Sequence, residues 1–400
     1  MNIYGFEYLS TFFQKGGLPQ ALLENFCVLD SFVLRECLCV KKPFQGRCLV
    51  SRKTGIVKDQ RYLRHDAGFG HPESPQRLGA THTMLEAPDI AGQFIEIEPR
   101  YASHEEIGMI HSASYINLVA STAGRSYVAL DPDTATTPES YDVAKLAVGG
   151  LCNAIDSIVS GEVANAFALV RPPGHHAGVS NAAGFCLFNN VAIGAKHAIS
   201  KHKMNKILIV DWDLHHGNGT QAQFYDDRSV LYFSTHQYPY YPGTGAVEEI
   251  GRGDGLGYNV NVPLRPGTDN EQYVKIFRKI LYPLSMKYKP DLVMISAGFD
   301  PYYKDPLGGM KVTPEGFAYM ARILMDVADN CCEGRLVVTL EGGYHLMGLA
   351  ESIKAVLIEM RDGTHVSDDT LGGMERAADS RIDPVVKKVM DQINPIWQIF

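Results

Sequence analysis

The feature that most limits what this chain can fold into is a repeated pattern: a short apolar run, a polar loop, then a stretch with helical spacing. The apolar runs cover 166–170, 206–210, 230–233, 258–262, 292–296 and 336–340. Several are β-branched with little alternation, as in strands buried on both faces of a parallel sheet. Helical spacing occupies 141–160, 190–201, 270–288, 314–329 and 346–360. Thr313, Pro314 and Glu315 read as an N-cap, an N1 proline and a first-turn acid. This alternation predicts an α/β fold with a mainly parallel central sheet and helices on both faces.

The chemically unusual residues come just after those runs. His175 and His176 follow the first, Asp211 to His216 the second, Ser234 to His236 the third, Asp300 the fifth and Tyr344 the sixth. Open α/β sheets bind ligands outside the carboxyl ends of their strands, so these residues are expected to build one site there.

Composition is that of a globular protein, with 45% hydrophobic and 20% charged residues in 400. A net charge of −8 excludes a broadly basic nucleic-acid-binding surface. The eight cysteines, at 27, 37, 39, 48, 152, 186, 331 and 332, form no C-x-x-C pair, and a reducing compartment is expected. The first cation is Lys15, which does not fit a secretory signal. The apolar stretch 21–40 is broken by Glu24, Asp30, Arg35 and Glu36, so no membrane span is expected. A cytoplasmic location is the default, with a nucleus or delivery into a host cell as alternatives.

Asp211, Asp213 and His215 alternate and would share one face of an extended chain. Buried carboxylates need a cation or hydrogen-bond partners. Asp213 and His215 with a third ligand would leave zinc an open, catalytic position, and the segment ending in Asp300 can supply that ligand. Each acid alone reads as a cap or ion-pair partner, and His215 alone as a loop histidine; their grouping at strand ends favours a metal site. Of the adjacent His175 and His176, one could take a proton from water while the other stays cationic. Asp211 is the candidate to orient His175. Tyr344, in a glycine-relieved turn, could polarise a carbonyl and stabilise an oxyanion.

Together these segments resemble the histone deacetylase family, which includes acetylpolyamine amidohydrolases and acetoin-utilisation proteins. The resemblance runs from about His65 to the C-terminus. It rests on His71-Pro-Glu-Ser-Pro-Gln-Arg77-Leu, Arg171-Pro-Pro-Gly-His-His, Gly184-Phe-Cys, Asp211-Trp-Asp-Leu-His-His-Gly, Tyr241-Pro-Gly-Thr-Gly, Ser296-Ala-Gly-Phe-Asp and Glu341-Gly-Gly-Tyr, in family order. It implies an arginase-like fold, with a catalytic domain over 51–400 and an N-terminal extension of unknown role over 1–50. It also implies one catalytic zinc on Asp213, His215 and Asp300. His176 then matches the general base and acid, His175 its companion and Tyr344 the carbonyl-polarising phenol. Gly184, Phe185, Tyr241 and Leu307 correspond to the acyl-lysine tunnel, and Arg77 to an acetate channel or a core ion pair. A structural potassium ion is implied near Asp211, Asp213, His215 and Ser234.

Arg171-Pro-Pro and Asn218, where relatives often carry aspartate, suggest the class II-like branch. Neutral Asn218 should leave the His176 pKa less elevated. Leu307, where polyamine-selective relatives can carry an acid, favours acyl-lysine. The expected activity is hydrolysis of N6-acetyl-lysine in a protein, histone or other. An acetylpolyamine amidohydrolase is the alternative; a catalytically idle acyl-lysine-binding scaffold and a binuclear arginase-like hydrolase are more distant ones. Oligomeric state stays open.

Overall fold

The computed structural model describes residues 52–362 and 366–400. The expected extension over 1–50, with four of the cysteines and the apolar stretch 21–40, lies outside the described residues.

Its strands are β1 (Thr54–Val57), β2 (Ile95–Glu96), β3 (Val128–Ala129), β4 (Ala135–Thr136), β5 (Asn165–Ala168), β6 (Ile207–Asp211), β7 (Val230–Gln237), β8 (Asn259–Leu264), β9 (Leu292–Ala297) and β10 (Leu336–Leu340). β3 and β4 make an antiparallel ribbon. The other eight form one sheet in the order β2-β1-β5-β10-β9-β6-β7-β8, every pairing parallel.

All six apolar runs become strands. Every residue of β5, β6, β9 and β10 is buried, which is why their sequences do not alternate. Each fully buried aliphatic side chain there stabilises the fold by about 1.5–3 kcal/mol. Helix Ser140–Val159 packs on Asn190–His202 and against β1, β5 and β10; Pro314–Cys331 packs against β9 and β10, and Leu346–Asp362 packs on it and against β1. The expected α/β architecture is what the chain adopts.

Three local readings change. β7 runs on to Gln237 because it stays paired with β8, so Ser234 and His236 lie inside a strand rather than after it. The helical stretch 270–288 contains a π-helical turn, Phe277–Leu281, between helices Asn270–Ile276 and Tyr282–Tyr288. Thr313 occupies the N-cap position, but its hydroxyl donates to Glu315 Oε2 at 2.6 Å instead of capping the helix. No helix among the described residues is long and apolar enough to cross a membrane.

Candidate active site

Four neighbouring strands, β5, β10, β9 and β6, end at the same edge of the sheet and carry the reactive residues. The chain leaves β6 at Trp212 and bends through 213–215. Asp213 N–H donates to Asp211 Oδ1 at 3.2 Å, and His215 N–H to Asp213 Oδ1 at 2.8 Å. Two successive aspartate turns, not an extended strand, therefore gather the side chains. Trp212 and Leu214, both fully buried, anchor the bend in the core.

β9 delivers Asp300, whose Oδ1 accepts Leu214 N–H at 2.9 Å. His215 Nδ1 then lies 3.2 Å from Asp213 Oδ1 and 3.0 Å from Asp300 Oδ2. Ligand atoms of the three residues fall within 4.8 Å of one another. Burial, with the Asp213 charge beside it, pushes the Asp300 carboxyl up to about 7. Two acids crowded in a dry site favour a cation, and this N/O donor set suits zinc with an open position. Gly342 makes the crowding possible: a Cβ there would stand 2.5 Å from Asp300 Oδ2 and 2.6 Å from Asp213 Oδ2.

His175 Nδ1 is 3.1 Å from Asp211 Oδ2, which also accepts the Tyr232 hydroxyl at 2.9 Å. Burial opposes the charge on His175, but Asp213 and Asp211 outweigh it and raise the pKa to about 10. His176 Nδ1 is 2.8 Å from the Asn218 amide oxygen. Burial, reinforced by His175 and His215, holds its pKa well below the usual histidine range. The adjacent imidazoles, 4.0 Å apart, thus differ in charge. His216 hydrogen-bonds to Thr244 at 2.7 Å and Gln221 at 3.0 Å, both structural contacts.

Tyr344 follows β10. Burial raises its phenol well above the usual tyrosine range, against the pull of Arg77, so it stays a donor. Phe185 meets Tyr344 edge-on at 5.8 Å, and Tyr241 meets His176 edge-on at 5.1 Å; each aromatic stands against a reactive side chain. Gly184 and Phe185 have φ of +53° and +68°, and a Cβ on Gly184 would lie 2.2 Å from His176 Cδ2. Leu307 is half-buried, in a turn whose N–H donates to Asp305 Oδ1 at 3.0 Å.

Several supporting residues escaped the sequence reading. Glu341 Oε2 accepts Gly174 and His175 N–H at 2.6 and 3.2 Å, and its Oε1 accepts the Ser296 hydroxyl at 3.0 Å, tying β5, β9 and β10 together. Asp305 Oδ2 accepts Tyr344 N–H at 2.7 Å. Tyr240 stacks on His215 at 5.6 Å and donates to Leu307 O at 3.2 Å. Glu73, fully buried, holds Arg171 at 2.5 Å and Arg77 at 2.9 Å. Arg77 in turn donates to Gly343 O at 2.7 Å and Glu341 O at 2.5 Å, with its guanidinium 5.0 Å from the Tyr344 ring centre. The only hints were an acid in the first quoted segment and an aromatic-rich run before Pro242. Ser234 sits in register beside Asp211, its Oγ 2.9 Å from His236 Nδ1.

Comparison with known proteins identifies the family. The histone deacetylase domain model matches residues 71–360, a shorter span than the resemblance running to the C-terminus. A probable deacetylase of Archaeoglobus fulgidus is 42% identical, over 74% of this chain and 82% of that protein. Histone deacetylase 15 of Arabidopsis thaliana is 40% identical, over 80% of this chain and 58% of the plant protein. Human polyamine deacetylase HDAC10 is 42% identical over 70% of this chain, which covers only 43% of the human protein. The crystal structure of the HDA15 HD domain superposes with a TM-score of 0.80 at 37% identity, covering 87% of this chain and 96% of that one. On the family match over most of its described length, the chain belongs to the histone deacetylase family.

Proposed function

We propose that the protein hydrolyses the amide of N6-acetyl-lysine in a protein substrate, histone or other, releasing acetate and free lysine. The observation that carries this reading is the convergence of Asp213, His215 and Asp300 beside the His175–His176 pair and Tyr344. Zinc held by those three residues would supply a Lewis acid for the amide carbonyl and the attacking water.

The chain's own groups do the rest. His176 has Nδ1 committed to Asn218, leaving Nε2 to accept the water proton and later return it to the departing amine. Asp211 accepts from His175 Nδ1 and so orients that imidazole beside the reacting centre. The Tyr344 hydroxyl donates to the developing oxyanion. Phe185 and Tyr241 flank the apolar acyl-lysine stem and exclude water from it. Arg77, with its donors directed to Glu73 and two carbonyls, supports the Tyr344 turn as a core ion pair. A structural potassium ion beside Asp211, Asp213, His215 and Ser234 belongs to the same reading.

Leu307 selects between substrates: an apolar side chain offers no counter-charge to a second amine, which favours acyl-lysine, while Arg171-Pro-Pro and Asn218 support the class II-like assignment. The human polyamine deacetylase among the relatives keeps acetylated polyamines as the second reading. Comparing kcat/KM on an acetyl-lysine peptide and on acetylputrescine decides it. The peptide should be preferred at least tenfold; equal or reversed values would move the assignment to a polyamine. Tyr344→Phe should cost about 100-fold or more in kcat with zinc content unchanged, and full activity would remove Tyr344 from the mechanism.

A further inference from the structure

A second group of metal-type ligands lies at the far end of helix Asn190–His202, where it packs on Ser140–Val159. His197 Nε2 and His202 Nε2 approach the same oxygen, Asp156 Oδ1, at 2.8 and 2.6 Å. Lys201 Nζ holds the other oxygen, Oδ2, at 2.7 Å and so fixes the rotation of the carboxylate. Ligand atoms of Asp156, His197 and His202 lie within 4.8 Å of one another, the same closeness as in the catalytic trio.

The far side of His197 makes the arrangement informative. Its Nδ1 lies 3.5 Å from Glu106 Oε1, and Glu106 is held in place by Arg100 at 2.7 Å and by a capping box with Ser103. With a cation on Nε2, Nδ1–H points to Glu106, the carboxylate-behind-histidine arrangement that orients metal-bound imidazoles. Cys152 also adjoins Glu106 and His197, and burial raises its thiol well above the usual cysteine range.

We propose that Asp156, His197 and His202 form a second metal site, for a divalent ion of the zinc, nickel or copper class. Two imidazoles and one carboxylate oxygen are the donors such ions take, and the ligands need to separate by only about half an ångström to reach bonding geometry. The His202 and Asp156 side chains are 16% and 26% exposed, so solvent can complete the coordination. The ion would join the two helices that lead into β5 and β6. The proposal does not depend on the deacetylase reading.

The test is metal content. The full-length protein is stripped with chelator, loaded with Zn2+, and counted after gel filtration; Cu2+ loading followed by electron paramagnetic resonance reports nitrogen ligands. Two ions per chain are expected in the wild type and one in His202→Gln, which keeps a side-chain donor for Asp156 but is a poor ligand. His202→Gln should retain wild-type turnover of an acetyl-lysine peptide, whereas His215→Ala should lose the other ion and the turnover. Asp156→Asn, checked for folding by circular dichroism, should also hold one ion. A wild-type metal count that His202→Gln leaves unchanged, whether one ion or two, overturns the proposal; a His215→Ala protein that keeps full turnover counts instead against the catalytic zinc.

Discussion

Glu73 carries more of the site than any other single side chain outside it. One buried carboxylate neutralises two buried guanidinium groups, Arg171 ahead of the histidine pair and Arg77 behind Tyr344. Arginine stays charged under any ordinary condition, so losing the carboxylate leaves both cations uncompensated. Glu73→Gln is expected to destabilise the fold by about 3–5 kcal/mol, read as a lower denaturant midpoint at unchanged slope. Gly184→Ala is a contrasting case. Its Cβ collides with His176 from a position of positive φ, so turnover should fall at least tenfold and the thermal midpoint should fall with it. Asp213 and His215 were legible in the sequence because they are two positions apart and their grouping is visible in one segment. Asp305 and Glu341 were not, because their partners lie 39 and 167 residues away, and for Glu73 the spacing to Arg77 gave no sign of Arg171, 98 residues on.

Between elements, His111 fastens the long loop that carries the histidine pair. Its Nδ1 faces Gly178 O at 2.8 Å and must donate; its Nε2 faces Asn189 N–H at 2.9 Å and must accept. The imidazole is thus held neutral, and burial lowers its pKa to about 4. The sign follows from linkage. Above pH 6.5 neither state binds the proton; between about 6.5 and 4 the unfolded chain binds it and the folded one does not. Stability is therefore lost as pH falls through that window, by about 3 kcal/mol at full extent from this group. Thermal melts from pH 7 to 4 should show a shallower decline in His111→Gln than in the wild type, and parallel curves would contradict the assignment. Helices were legible at this scale because each runs long enough to show a period, and the buried strands because each is an unbroken apolar run. β1 and β2 were not, with four residues and two.

For the whole molecule, the arrangement of strands decides what can react. Chelator treatment is expected to abolish turnover, and added Zn2+ to restore it, with far-ultraviolet circular dichroism unchanged; loss of the fold on chelation would make the ion structural instead. A chain beginning at residue 50 is expected to fold and to hydrolyse acetyl-lysine peptide, because β1 starts at Thr54 and lies between β2 and β5. Circular dichroism and a turnover assay would check both. The sequence by itself determined the class of fold and picked out the candidate site residues, because strand burial and ligand type are written in local composition. Only the tertiary structure decided that β5, β10, β9 and β6 lie side by side, although they come from distant parts of the chain. That adjacency brings Asp213, His215 and Asp300 within reach of one ion, sets Asp213 and Asp211 against His175 to raise its pKa, and buries His176 so that its pKa falls. Sheet order and burial are properties of the packed whole, set by which apolar faces fit together, and no segment contains them alone.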